Sequence, residues 1–422
     1  MNKKSEETKV LIAFYNTIGQ GGELSEMSDK ACRRVHIDGN WESAHYSETA
    51  LIKATKCLLR NKDLDDNYSQ ATLSSLIADR LITIFIREPN KVSEQIDALL
   101  NELLNVIPME MNVYMSIHGI TGLKRVKIGE FEFIPAADYS SLGVKCPQPQ
   151  MESCIKDGIW KNQDHVMVSV PACDPAKARE KAYAEFQWLE NVARLFVDSN
   201  FHDIGITSFN YSRIENALVT TVDGNMQSAS LSVKGSPLLL PFEKFFESDL
   251  CRIIDKLGRR NDDLTKLQRR IRHAVYLGGL SVHETIPEVS FFLGVSAMEA
   301  LFQSETDKYV NPSIAQQIVE AFCYLVVDEK DRRGVFEQMR TFYGKRSAIA
   351  HGGKTIVTID DARLVRSYLR AAILKFIDDP VLSSLKSINE VSAIIRDKKF
   401  GVKEPIGLHH ESDGKLNEVS HV

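Results

Sequence analysis

Within the run Tyr343-Gly-Lys-Arg-Ser-Ala-Ile-Ala-His-Gly-Gly353, Arg346 and His351 stand with four residues between them. Ser347 follows the arginine, and two glycines follow the histidine. An arginine guanidinium is a permanent cation whose planar fork matches the oxygens of a phosphate. Histidine is the side chain best suited to take or give a proton near neutral pH. The two form a minimal kit for cutting a phosphodiester without a metal, one group holding the phosphate and the other moving the proton. On a helix Tyr343, Ser347 and His351 fall at i, i+4 and i+8 as one polar stripe, with Arg346 one position to the side and long enough to reach over. The glycine pair reads as the stop of that helix. The plainer alternative is a helix-terminating histidine beside a surface arginine.

Such a pair works only if neighbouring elements hold it. Upstream, the run from Phe291 to Phe302 is apolar apart from one charge, Glu299. Burying a lone carboxylate is costly unless it is paired, so a cation should face it, and Arg346 is the expected partner. Glu299 would then orient the arginine rather than move protons; otherwise it points out of its helix into solvent. Tyr343 and Ser347 are expected to support the pair by donating hydrogen bonds to phosphate oxygens. One arginine and one histidine per chain are sparse for a transesterification that needs both an acid and a base. A two-fold dimer would bring two such pairs together.

The wider chain reads as α+β and multidomain. Residues 1–110 are expected to be a helical N-terminal region, with helical spacing over 43–106 and a break at Asp63–Asn67. Residues 111–240 read as a mixed α/β module and a candidate sensor. Short alternating strands lie near 113–119, 126–129, 131–135, 165–171, 204–208, 217–222 and 229–233, around a helix at Ala176–Val197. Residues 137–163 read as a long irregular connection and Gly19–Gly22 as a flexible loop. Residues 241–380 read as an all-α bundle, with helices at Asn261–Leu277, 288–304, 312–327, 331–351 and 359–377. Asn261 or Asp262 is expected to cap the first of these, and Thr358-Ile-Asp-Asp361 to form a capping box on the last. Residues 381–422 hold a short helix near 388–398 and a polar tail.

Taken together, the apolar helix with Glu299, the helix near 312–327 and the pattern Tyr-x2-Arg-Ser-x3-His-Gly resemble the HEPN superfamily, the higher eukaryotes and prokaryotes nucleotide-binding domains. Within it they are similar to the Apea-like subgroup, over roughly residues 260–380. That superfamily's signature is an Arg and a His separated by four to six residues. Many members have Asn or Asp after the Arg, where this chain has Ser347. The resemblance implies a helical bundle, a homodimer, and metal-independent RNA cleavage in prokaryotic toxin or phage-defence (abortive infection) systems. An antitoxin or a phage-derived trigger would be a further partner. It makes Arg346 and His351 catalytic, with Glu299, Ser347 and Tyr343 supporting, and calls for no cofactor. An alternative is a non-catalytic HEPN module that binds a nucleotide or a protein. A third, from another class, is a signalling adaptor whose working part is 111–240.

The basic run Arg259, Arg260, Lys266, Arg269, Arg270, Arg272 and His273 lies beside this segment. It reads either as a solvated helix face or as a set of phosphate contacts, in which Arg269, Arg270 and Lys345 would grip RNA. A net charge of −5 and a pI near 6.2 speak against non-specific coating of nucleic acid, but not against a local basic groove. Seven scattered cysteines without a Cys-x2-Cys pair suit a reduced, cytoplasmic protein. The start has no apolar signal segment and no run approaches a membrane span. Gly352-Gly-Lys-Thr355 is not a phosphate-binding loop, because Ala348 stands where its first glycine is required and the segment follows a helix. His409-His410 has no metal-ligand partners at useful spacing. Met298, Phe302, Phe322 and Phe336 read as core.

Overall fold

The computed structural model describes residues 5–19, 29–138, 163–197, 204–206, 214–220, 226–233, 239–303 and 314–401. The chain is mixed α+β and divides into two compact units. The first comprises Met1–Ile117, Lys124–Gln187 and Ile206–Ser208, and the second His118–Leu123, Trp188–Gly205 and Phe209–Val422. The expected irregular connection at 137–163, the Gly19–Gly22 loop and the tail from Lys403 lie wholly or largely outside the described residues.

In the first unit, α1 (Glu6–Tyr15), α2 (Glu48–Leu58), α3 (Lys62–Asn67), α4 (Gln70–Arg87) and α5 (Val92–Leu104) enclose a core that includes Leu11, Phe14, Leu58, Leu73, Ile77, Leu81 and Ile96. Serine or asparagine side chains (Ser5, Ser47, Asn61, Ser69) cap four of these helices, accepting from backbone N–H groups that have no intrahelical partner. Asp63–Asn67 is therefore part of a short helix rather than a break. A second departure from the all-helical expectation is a β-hairpin, β1 (Lys30–Ile37) with β2 (Asn40–Ser47). Its two-residue turn, Asp38–Gly39, has positive φ at both positions (48° and 87°), the geometry whose twist matches the flanking strands. Strands β3 (Met109–His118), β4 (Val126–Ile128), β5 (Phe131–Ile134) and β6 (His165–Ala172) pair antiparallel in the order β4-β5-β6-β3. Strand β6 alternates buried and half-buried residues as its sequence implied, whereas β3 is half-buried or exposed along most of its length. Helix α6 (Pro175–Val197) contributes residues 175–187 to the first unit and 188–197 to the second.

The second unit holds the hairpin of β7 (Ile214–Thr220) and β8 (Met226–Val233) and a run of helices. These are α7 (Phe242–Glu247), α8 (Asp249–Leu257), α9 (Lys266–His283), α10 (Pro287–Phe302), α11 (Ile314–Leu325), α12 (Arg332–Ala350), α13 (Ile359–Asp378), α14 (Pro380–Ser384) and α15 (Ile388–Lys399). Helix α10 is the hub, packing against α9, α11, α12 and α13. That placement explains its largely apolar sequence; the face that holds Phe292, Ser296 and Glu299 is the part left half-buried. Phe291, Met298, Leu301 and Phe302 are buried in it, with Phe322 and Phe376 against Phe302. The cap of α9 is Thr265, in a capping box with Gln268, and not Asn261 or Asp262; its helix begins at Lys266, five residues later than its apolar spacing suggested.

Glycine at 279 is a steric requirement. A Cβ there would lie 2.3 Å from the Asn191 carbonyl oxygen and 2.5 Å from its Cα, so the backbones of α6 and α9 touch at this point. Backbone cannot swing aside as a side chain can. Gly279→Ala is expected to destabilise the second unit by about 1–3 kcal/mol or more, read as a lower midpoint in urea unfolding. A midpoint equal to that of the unsubstituted chain would show that the helices do not meet there.

Candidate functional site

Helix α12 turns the stripe Met339, Phe342, Tyr343 and Arg346 toward α10, at the i, i+3, i+4, i+7 spacing of one helix face. Phe342 is buried edge-on against Phe291 at 5.6 Å. On α10, Phe292 and Glu299 stand seven residues apart, two turns along one side, and the end of the α12 stripe lies over both. Arg346 Nη2 donates to Glu299 Oε2 at 2.8 Å, and the Tyr343 hydroxyl donates to Glu299 Oε1 at 2.9 Å. The guanidinium carbon sits 4.9 Å from the centre of the Phe292 ring and 5.9 Å from that of Tyr343, so the cation is attracted to ring faces as well as to a carboxylate. The Arg346 and Glu299 side chains keep 24% and 15% of their exposure. The pair is therefore half sheltered, with less competition from water than a surface pair meets.

Tyr343 thus spends its proton on Glu299, not on a phosphate. Burial, together with the hydrogen bond to the Glu299 carboxylate, pushes its phenol up to about 12, which keeps it a donor across the neutral range. Among the described residues the Arg346 guanidinium has partners only through Nη2; its Nε is buried without one. Nη1 remains unspent.

His351 is the C-cap of α12 and exposed. The chain leaves the helix there by a tight two-bond closure. Gly353 N–H donates to Ala348 O at 2.7 Å and Gly352 N–H to Ile349 O at 3.3 Å. Gly352 occupies the left-handed region at φ 70°, the conformation that makes glycine the usual residue at this place. The expected helix stop is realised there. Lys345 Nζ donates to Asp361 Oδ2 at 2.9 Å, tying α12 to the first turn of α13 across the connection that begins with His351. The same Asp361 oxygen accepts from Thr358 N–H at 2.8 Å, and Thr358 Oγ1 accepts from Asp361 N–H at 3.2 Å, which completes the anticipated capping box. Burial pushes the Asp361 carboxyl up, but the hydrogen bonds from Thr358 and the Lys345 ammonium outweigh it and hold the carboxyl below its usual range.

The structure therefore brings Glu299, Tyr343 and Arg346 into one cluster. Ser347 is half-buried on the next position of α12, and His351 lies five residues from Arg346, about 140° further round a regular helix. Among the described residues neither the Ser347 hydroxyl nor the His351 ring has a hydrogen-bond partner. Of the cations expected to grip RNA, Arg269 is exposed, whereas Arg270 donates to the Gln303 carbonyl beyond the end of α10 and Lys345 is held by Asp361. The rest of the basic run is not a uniform solvated face. Arg272 is buried, donates to the carbonyls of Leu257 and Arg259, and lies 4.4 Å from the centre of the Trp188 ring. Phe292 is the site residue that sequence reasoning passed over; its place seven residues before Glu299 was the available signal.

No helix among the described residues is long and apolar enough to cross a membrane. None of their His, Cys, Asp and Glu side chains gather in threes that could hold a metal. No protein-family model matches the chain, and neither a curated protein nor a solved structure matches it.

Proposed function

We propose that the chain is a metal-independent endoribonuclease of the HEPN type, acting in a prokaryotic toxin or phage-defence system, and that its second unit contains the HEPN-like bundle. The observation that carries this reading is the Glu299–Arg346–Tyr343 cluster. A guanidinium fixed by a carboxylate and an aromatic ring is preorganised, and preorganised cations stabilise charge that builds on a phosphate without moving during the step. Its unspent Nη1 is the group that would meet a phosphate oxygen. His351, exposed at the helix end, would take the proton of the RNA 2′-OH or return one to the leaving 5′ oxygen. The 2′ oxygen bonds to phosphorus as the 5′ oxygen departs, leaving a 2′,3′-cyclic phosphate. A homodimer would supply the second acid–base group, RNA would be the substrate, and an antitoxin or phage component would set when the site works.

A second reading is favoured by one specific feature. A general base is ordinarily oriented by a third group, and the His351 ring has none among the described residues. On that reading the module binds a nucleotide or a partner protein with the same Arg–His surface and does not cut.

The test is digestion of RNA by the purified chain in excess EDTA, followed by analysis of the ends. Undiminished cleavage with 2′,3′-cyclic phosphate or 3′-phosphate ends is expected. Loss of activity in EDTA together with 3′-hydroxyl products would assign the chemistry to a metal site. Nucleotide binding with no RNA products would select the second reading.

A further inference from the structure

The hairpin of the first unit presents a face that no part of the nuclease reading uses. Strand alternation puts Lys30, Cys32, Arg34 and His36 of β1 on one side, and the cross-strand register sets them against Ser47, His45, Ser43 and Trp41 of β2. The opposite side holds Val35, Ile37, Ala44 and Tyr46, all buried. It is fastened to the helices by Tyr46 packed edge-on against Phe14 and by Arg33, whose Nη2 donates to Asp79 Oδ2 at 2.9 Å. The first side is thereby turned to water. Arg34 and His36 are exposed, and Trp41 is 69% exposed, an unusual state for so large an apolar ring. Its indole is propped edge-on by His36, ring centres 5.2 Å apart.

Among the hairpin's own residues, the charged side chains on this face, Lys30 and Arg34, have one sign. Between Lys30 and Ser47 the acidic residues are Asp38 and Glu42. Asp38 is in the turn, engaged by Arg87. Glu42 pairs with Val35 in the register and so belongs to the other side. Asp29, just before the strand, accepts from Ser47 Oγ and Thr49 N–H. In a chain of net charge −5, a strip of Lys30, Arg34, His36 and His45 around an open indole is complementary to one kind of partner, a flexible polyanion with flat apolar rings. We infer that the outward face of the β1–β2 hairpin binds single-stranded nucleic acid, with a base stacked on Trp41 and the phosphates following Arg34 and Lys30. A duplex keeps its rings inside its own stack and offers Trp41 nothing. The inference is drawn from a different unit than the Arg–His site, and it is tested by binding, so it stands or falls apart from cleavage.

The experiment is fluorescence anisotropy of the full chain with a fluorescein-labelled oligouridylate of about 20 nucleotides, longer than the site of a single module. It is run with the His351→Ala chain as well, so that probe cutting does not intrude. Trp41→Ala is expected to weaken binding about tenfold or more, and Trp41→Phe to keep most of it. Arg34→Glu is expected to weaken binding and to reduce the slope of affinity against salt by about one ion. Lys62→Glu, an exposed cation on α3, serves as the charge control and should have little effect. Melting curves of each variant show that the hairpin remains folded. Binding by Trp41→Ala or Arg34→Glu as strong as by the parent chain, a loss in Lys62→Glu as large as in Arg34→Glu, a preference for duplex, or no binding at low salt would each overturn the inference.

Discussion

Replacing His351 with alanine is expected to lower RNA cleavage about 10²–10⁴-fold, the range over which removing a positioned acid or base acts. The fold should be almost unaffected. The side chain is exposed, its ring has no hydrogen-bond partner among the described residues, and the closure of the helix end uses backbone groups of His351, Gly352 and Gly353. Substitutions at such surface positions change stability by about 0.5 kcal/mol or less. The difference between a large kinetic and a small thermodynamic effect is what separates a catalytic histidine from a structural cap. Expression in a bacterium gives the readout: growth arrest and RNA fragments with the unsubstituted chain, neither with His351→Ala, and equal amounts of soluble protein in both. A His351→Ala chain that fragments RNA as fast as its parent would remove His351 from the mechanism. Arg346→Lys supplies a companion measurement. It keeps the charge but loses the planar fork and the ring contact, so it should also cut poorly, because a lysine ammonium cannot hold Glu299 with one fixed nitrogen and offer a second to the phosphate.

The parts of this site that were legible in the sequence are those fixed by local chemistry or by a single anomalous residue. Glu299 was conspicuous as the one charge in an apolar run, and a buried carboxylate demands a cation, so its ion pair with Arg346 could be anticipated across 47 residues. The Thr358 capping box and the Gly352 helix stop are short-range motifs whose geometry is set by the residues themselves. What the sequence did not disclose depended on partners chosen by tertiary packing. Lys345 looked like a free cation beside Arg346, but Asp361, already part of a cap, is folded back onto it. Arg272 looked like one more member of a basic face. Its partners, the Leu257 and Arg259 carbonyls and the Trp188 ring, come from other elements and carry no charge that a reader of the sequence could match to it. The hairpin is a different kind of miss. Asp38-Gly39 between Val35-His36-Ile37 and Asn40-Trp41 is a short-range signal for a two-residue turn, and the helical periodicity that follows from residue 48 obscured it.

Removing Arg346 is expected to destabilise the second unit by about 2–3 kcal/mol, somewhat below the range for breaking a fully buried pair, because both side chains keep some contact with water. The loss has two sources. Arg346→Ala forfeits the guanidinium's contact with Phe292, and it leaves the Glu299 carboxylate with Tyr343 as its remaining donor. Glu299→Gln alone should cost about 1–3 kcal/mol. Its single carbonyl oxygen can accept from Arg346, and the Tyr343 hydroxyl must turn to accept from the new amide. Combined, the two changes should cost less than their sum, since a neutral glutamine no longer needs the cation. Arg346→Ala with Glu299→Gln should therefore be more stable than Arg346→Ala alone. In a double-mutant cycle on urea unfolding this requires a coupling larger than the cost of Glu299→Gln by itself, toward the upper end of the usual range of about 0.5–3 kcal/mol. The same cycle on cleavage rate discriminates between roles. If Glu299 orients the arginine, Glu299→Gln lowers the rate in the parent chain and has no further effect once Arg346 is alanine. If Glu299 transfers a proton, the second loss persists. Additive stabilities would mean that the carboxylate and the guanidinium act independently, and with that the preorganised phosphate grip would go.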